Sequence, residues 1–475
     1  MAGLGSALTE QGLRGLRDRV KEAIWRASRA ERRVLASYSF EIDPALDVAA
    51  CVFSSRRAED RFFVWEQPDR DHFAIGALGS AWTIDSTAGR DRFTAASASA
   101  VEAMRDGVFD DRAPVGAGPI WVGGFAFAPS GGTGYQWTSL PPTLLTLPAL
   151  SLVRSGGTAL ATVNVVCRPS DDPGAVTERM ASRISALRAD PMPVIDPDPL
   201  GGFEIASGLP PEAFVRAVGE ASRRVREGEL RKVVLAREVT VSASRPFKPA
   251  AVFDGLRGGY PSCYCYCVGT PEVAFVGASP ELLARRVGAG VSTVALAGST
   301  RRSADPAVDD HLGERLLHSD KDLTEHRSVV RTIERSLGPH SVWVTAAEEP
   351  SLVKVANIQH LGTPIRAQLT EPRSAIELVG ALHPTSAVGG EPWDLAREVI
   401  RALEHLDRGW YAGPVGWMDA TEDGEFCVAL RCALLEGRTA HCYAGAGVVG
   451  DSDPEAELAE TEVKLQAVLP ALTGM

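Results

Sequence analysis

The chain has 475 residues, 45% of them apolar and 23% charged, with a formal net charge of −12. That length buries a sizeable core without metal or disulfide staples and makes one large domain or two to three average ones. The acidic balance excludes a nucleic-acid backbone as partner, while a small anion needs only a few local cations.

In chain order, residues 11–35 read as an amphipathic, charged helix. The N-terminus carries no apolar h-region after its charges, and no apolar run in the chain reaches the ~18 residues of a membrane span. A cytoplasmic protein with no membrane partner is expected. Residues 36–167 are rich in short strand-like runs such as Phe62–Trp65 and Ile120–Val122, the second followed by Gly123-Gly124, which suggests close backbone approach or a bend. A helical pattern covers 175–187. Residues 189–202, with their prolines and aspartates, form the best linker candidate.

From Pro210 the texture changes. A helix is predicted from Pro211 to about Gly228, then a strand at Val233–Leu235. Cys263, Cys265 and Cys267 alternate with tyrosines, which puts three thiols on one strand face as small buried residues. No C-x-x-C pair occurs, so no thiolate metal site is expected. Further strands are predicted at Ala274–Val276 and Val294–Leu296, and one long helix over 309–337. Strands return at 415–418, 427–435 and 440–443, and a last helix runs from about Pro454 to Leu469. The irregular alternation favours an α+β (α/β mixed) fold with large, mostly antiparallel sheets.

Several constellations carry chemistry. Asp322 and Glu325 share one face of the long helix, and Glu457 and Glu460 one face of the last. Four carboxylates on two helices suit a hard divalent cation such as Mg2+. They equally suit a solvated helix surface, and Glu460 with Lys464 is an ordinary i,i+4 pair. Lys232 enters an apolar strand, where burial would lower its pKa toward that of a general base. An edge-strand lysine is the plainer alternative. Glu281, between Pro280 and two leucines, reads as a partly desolvated general acid or as a first-turn helix glutamate. Gly445-Ala446-Gly447-Val448-Val449-Gly450 matches G-x-G-x-x-G, but acidic residues follow it and no room remains for a βαβ unit, so a dinucleotide site is not expected. Backbone N–H groups there could still meet a carboxylate.

Taken together, the segments Lys232–Arg237, Gly277–Glu281, Ala297–Arg302, Lys321–His326, Gln359–Gly362, His383–Gly390, Arg408–Gly416, Leu430–Ala433, Ala444–Gly447 and Glu457–Lys464 resemble the chorismate-binding enzyme family in identity and order. The resemblance implies a single large domain of two stacked, mostly antiparallel sheets with helices outside. Residues 1–200 would complete the sheets and 201–475 form the catalytic region.

It also implies roles. Mg2+ would link the ring carboxylate of chorismate to Glu325 and Glu460, with Asp322 and Glu457 nearby, directly or through water. Asp322 is shorter than the glutamate of several relatives, which puts direct ligation there in doubt. Tyr411 and Arg431 would hold the enolpyruvyl carboxylate. His360, Lys464, the Gly445 and Gly447 backbone, and Gly298, Ser299 and Thr300 would also face substrate. Lys232 as neutral base and Glu281 as protonated acid would work on the ring. Ala387 resembles the alanine of water-using isochorismate synthases, where ammonia-using or pyruvate-eliminating relatives commonly carry threonine. The expectation is therefore an isochorismate synthase with no obligatory glutaminase subunit. Salicylate synthase, an ammonia-using relative, or a non-catalytic homologue are the alternatives.

Overall fold

Alternation along the strand Phe62–Gln67 sends Phe63 and Trp65 into one core and Phe62 and Val64 into another. A strand buried on both faces is favoured when apolar on both, which is why its first four residues, Phe62–Trp65, show no polar side. The first core lies between two stacked sheets. The second lies between one sheet and its outer helices, among them Glu10–Ala30, Val48–Ser55, Pro173–Ser185 and Pro249–Gly259. Cys263, Cys265 and Cys267 all enter this second core as free thiols, and burial pushes their pKa values up. The computed structural model describes residues 9–85, 89–110, 113–193 and 202–474. Most of the predicted linker, 194–201, therefore lies outside the described residues. No described helix is long and apolar enough to cross a membrane.

The first sheet has 12 strands. It runs from Val34–Glu41 through Thr158–Cys167, Leu150–Ser155, Phe73–Leu78, Phe62–Gln67, Tyr264–Gly269, Ala274–Ser279, Cys432–Glu436, Thr439–Val448 and Lys232–Ser242 to Gly390–Glu391, with Glu204–Ser207 also on Lys232–Ser242. The second has 10, from Ser341–Ala346 through Ile358–Leu369, Gly290–Arg301, Leu282–Val287, Gly424–Val428, Pro414–Asp419, Ile120–Phe125 and Thr143–Leu147 to Trp82–Ile84, with Ser351–Lys354 on Ile358–Leu369. Their pairing is antiparallel. The expected two-sheet architecture is the one observed.

The chain passes between the sheets at two places that matter for the site. Pro280–Glu281 connects strand Ala274–Ser279 of the first sheet to Leu282–Val287 of the second. Ala429–Arg431 connects Gly424–Val428 of the second back to Cys432–Glu436 of the first. The crossings are tied together: the Ala278 N–H donates to the Arg431 carbonyl at 3.2 Å, and the Val428 N–H to that of Glu281 at 3.0 Å.

Some boundaries differ from the sequence expectation. The first helix ends at Ala30, where Glu31 takes a left-handed conformation, and Val34 already begins a strand. The single helix expected over 309–337 is two, Pro306–Leu317 and Asp320–Leu337. The Ser319 side chain caps the second by accepting from the Asp322 N–H. Periodicity misses such a break because the apolar stripe resumes within a turn. The strand expected over 427–435 is interrupted by the second crossing, where Arg431 has φ +50°. The last helix stops at Leu465 and resumes at Leu469–Thr473. Gly123 lies inside its strand, and a Cβ there would sit 2.0 Å from the Leu144 carbonyl oxygen, so close approach is its role.

Candidate active site

The strand Lys232–Ser242 pairs with Thr439–Val448, placing Val234 opposite Gly447 and Ala236 opposite Gly445. Lys232 opens this strand, 4% exposed, and its Nζ donates to Glu325 Oε1 at 2.6 Å. Glu325 comes from helix Asp320–Leu337. The plainer alternative, a solvated edge lysine, is thus ruled out. The amine is not free either, because its hydrogen bond to the Glu325 carboxylate occupies it. Gly447 makes the approach possible: a Cβ there would lie 2.9 Å from Lys232 Cε and 3.1 Å from Glu325 Oε1.

Glu281 is 5% exposed in the first crossing, with its N–H donating to Ser279 Oγ. Burial pushes its carboxyl up to about 7, against the pull of Lys232, Arg431 and Lys464. It is therefore no helix first-turn residue. Arg431, in the second crossing, is also buried, and burial lowers its pKa. Its contact among the described residues is a long one, 3.4 Å to His360 Nε2, with no carboxylate in ion-pair range. Burial, then the nearby Arg431 and Lys464 charges, hold His360 down at about 3, so its ring is neutral. A buried guanidinium beside a neutral imidazole is prepared to receive an anion. Tyr411 is buried nearby, and its hydroxyl would be 3.0 Å from a Cβ at Gly445.

Helix Pro454–Leu465 covers the other side. Lys464 Nζ donates to the Gly445 carbonyl at 2.7 Å and pairs with Glu460 Oε1 at 2.8 Å, which also accepts from Ser299 Oγ at 2.8 Å. Burial opposes ionisation of Glu460, but Lys464 and Ser299 outweigh it and hold its pKa down. Burial and then the Glu460 charge push its neighbour Glu457 up. Asp322 is raised too, by burial first and then, against its Ser319 hydrogen bond, by Glu325 and Glu460. Gly298 has φ +75° at a register shift in strand Gly290–Arg301, and a Cβ there would press on Asp322 at 3.2 Å.

These groups line one cavity of about 130 Å³. Lys232, Glu281, Gly298, Ser299, His360, Ala387, Tyr411, Arg431, Gly445, Gly447, Lys464 and the carboxylates Asp322, Glu325, Glu457 and Glu460 all reach it. Thr300 does not. It lies one residue further along the strand, opposite Gln359. Strand alternation turns it away from the wall to which Ser299 contributes. Lys321 was not singled out, yet it lines the cavity, exposed, and its charge acts on both Asp322 and Glu457. Its cue was a cation beside the acidic pair, legible only once that helix face was known to meet a cavity. A larger cavity of about 440 Å³ lies elsewhere, but the titratable groups with converging charge are in this smaller one.

As the side chains stand, no three acidic, histidine or cysteine side chains among the described residues converge on one point. The donor chemistry nonetheless fits a hard cation. The groups are oxygen donors on two helices, and burial first, then their mutual repulsion, raises Asp322 and Glu457.

The model of the family described as chorismate binding enzyme matches residues 20–473. This chain belongs to that family. It is 32% identical to isochorismate synthase MenF of Bacillus subtilis over 97% of this chain and 98% of the relative. It is 35% identical to the salicylate biosynthesis isochorismate synthase of Pseudomonas aeruginosa over 98% and 96%. The structure of the menaquinone-specific isochorismate synthase MenF of Escherichia coli superposes with a TM-score of 0.77 at 27% identity, covering 96% of this chain and all of that one. Anthranilate synthase component I of Streptococcus pneumoniae shares the fold, with a TM-score of 0.64 at 20% identity. This member of the chorismate-binding family thus has its charged residues gathered where two sheets and two acidic helices meet.

Proposed function

We propose that the protein is an isochorismate synthase, converting chorismate to isochorismate. The observation that carries this is the pairing, in one cavity, of a buried acid whose carboxyl titrates near 7 with a buried lysine. The full-length relatives with this activity in their names support it.

Arg431 and Tyr411 receive the enolpyruvyl carboxylate, the guanidinium having no carboxylate in ion-pair range among the described residues. Lys232 Nζ takes a proton from a water whose oxygen bonds to ring C2. The double bonds shift, the C4–O bond breaks, and Glu281 protonates the departing hydroxyl, which leaves as water. One water enters and one leaves, so the reaction is an isomerisation. Glu325 and Glu460, with Asp322 and Glu457 beside them, would hold Mg2+. Bound there, the cation supplies charge that anchors the ring carboxylate and draws density from the diene. Glu325 has two tasks: it neutralises Lys232 now, and as a metal ligand it would leave the amine freer to act as base. Ala387 on the cavity wall matches the alanine of water-using isochorismate synthases, where ammonia-using or pyruvate-eliminating relatives commonly carry threonine, and so favours isochorismate over salicylate or an aminated product.

Incubating the protein with chorismate and Mg2+, then separating products by chromatography, tests the reading. Isochorismate alone is expected. Salicylate with pyruvate, or turnover only when ammonia is added, would replace it with one of the alternatives.

A further inference from the structure

The cavity of about 440 Å³ lies on the far side of the Lys232–Ser242 strand from its partner Thr439–Val448. On that edge the strand is paired at Lys232–Val233 with Gly390–Glu391 and at Val239–Ser242 with Glu204–Ser207, leaving a gap between. A carboxylate already fills part of the gap: Glu404 accepts from the Ala236 N–H at 2.9 Å. The walls are apolar, with Phe214, Ala217, Leu235, Leu403 and Leu406.

The carboxylates at this cavity are all engaged: Glu404 pairs with Arg408 at 2.6 Å and Glu220 with Arg223 at 2.8 Å, while Glu238 Oε1 shares a 2.6 Å hydrogen bond with His441 Nδ1. Its two arginines are poorly matched. Arg216, exposed on helix Pro211–Arg226, has no hydrogen-bond or ion-pair partner among the described residues. Arg237, 11% exposed, donates to the hydroxyls of Thr461 and Ser207, and its nearest carboxylate, Glu462, is 3.8 Å away and mostly in solvent. Burial lowers the Arg237 pKa, as expected of a cation short of counter-charge.

We propose that this cavity is a second ligand site, taking a small carboxylate with an apolar, ring-sized body whose charge meets Arg216 and Arg237. Its floor reaches the candidate active site. Arg408, paired with Glu404, donates to the Val388 and Val234 carbonyls at 2.9 and 2.8 Å, and both residues line the smaller cavity. Such a ligand is therefore an effector, a role that rests on the chorismate reading, whereas the binding itself does not.

Calorimetric titration of the whole chain with 4-phenylbutyrate tests the site. Saturable binding is expected, weakened about tenfold by Arg216→Gln or by using the uncharged amide, and abolished by Ala217→Trp, which fills the cavity. No saturable binding, equal affinity for the amide, or binding untouched by both variants would overturn it. Saturating 4-phenylbutyrate is expected to change chorismate turnover by at least about twofold. Unchanged turnover in a protein that binds removes the effector role alone. Intact binding with no chorismate turnover at all sinks the functional reading and leaves the site.

Discussion

The floor and the roof of the candidate site are built differently. The floor is made of strands and the two sheet crossings, and its Lys232, Glu281, His360 and Arg431 are each 8% exposed or less. Backbone bonds between the crossings fix Glu281 relative to Arg431. The roof consists of the helices carrying Asp322, Glu325, Glu457 and Glu460, where the Glu460 side chain is 32% exposed and neighbouring carboxylates repel. Groups that act on covalent bonds must be held within fractions of an ångström, and a ladder-bonded floor does that. Groups that take a hydrated cation tolerate looser placement, because waters complete the shell.

Substitutions can break this contrast. On the floor, Glu281→Gln keeps the shape and removes the proton, so kcat should fall by about 10²–10⁴-fold with KM little changed. A near-normal kcat would take the acid role from Glu281. On the roof, Glu460→Ala or EDTA should abolish turnover, and excess Mg2+ should restore the EDTA-treated protein. Full activity in EDTA would remove the cation from the account.

Gly447→Ala tests the junction of floor and roof. Its methyl would press on both Lys232 and Glu325. Turnover should drop and thermal unfolding should show a loss of about 1–3 kcal/mol. An unaffected Gly447→Ala protein would mean that the pair is not tightly confined.

The last test sharpens the floor's electrostatics through stability alone. Glu281 has its folded pKa raised to about 7 from the ordinary 4.5. Between those values the folded state holds a proton that the unfolded state has released. Wild-type stability relative to Glu281→Gln should therefore fall as pH rises from 4.5 to 7, by roughly 3 kcal/mol, and level off above. Parallel denaturation curves for the two proteins across that range would show that the carboxyl is not desolvated.

Much of this site was legible beforehand because its residues sit in short local motifs. Asp322 and Glu325 share a helix face by spacing alone, and Gly298 and Ser299 belong to the Ala297–Arg302 motif. Thr300 failed because membership of a motif does not say which strand face a side chain takes, and the bulge at Gly298 shifts the register just before it. The helix break at Ser319 was hidden in a pattern of apolar spacing that ignores caps. The crossing at Ala429–Arg431 was hidden in a run that is apolar on both sides of Arg431, since a residue buried in one sheet looks like a residue buried in another.

The sequence by itself determined most element types and, through its ordered motifs, the resemblance to a two-sheet family and the candidate reactive groups, because periodicity and local motifs are properties of neighbouring residues. Tertiary structure alone decided that Lys232 meets Glu325, 93 positions away, that Arg431 has no carboxylate in ion-pair range among the described residues, and that a second cavity opens at a gap in strand pairing. Those facts depend on which distant segments are pressed together and how far water is excluded between them, and no local pattern carries that information.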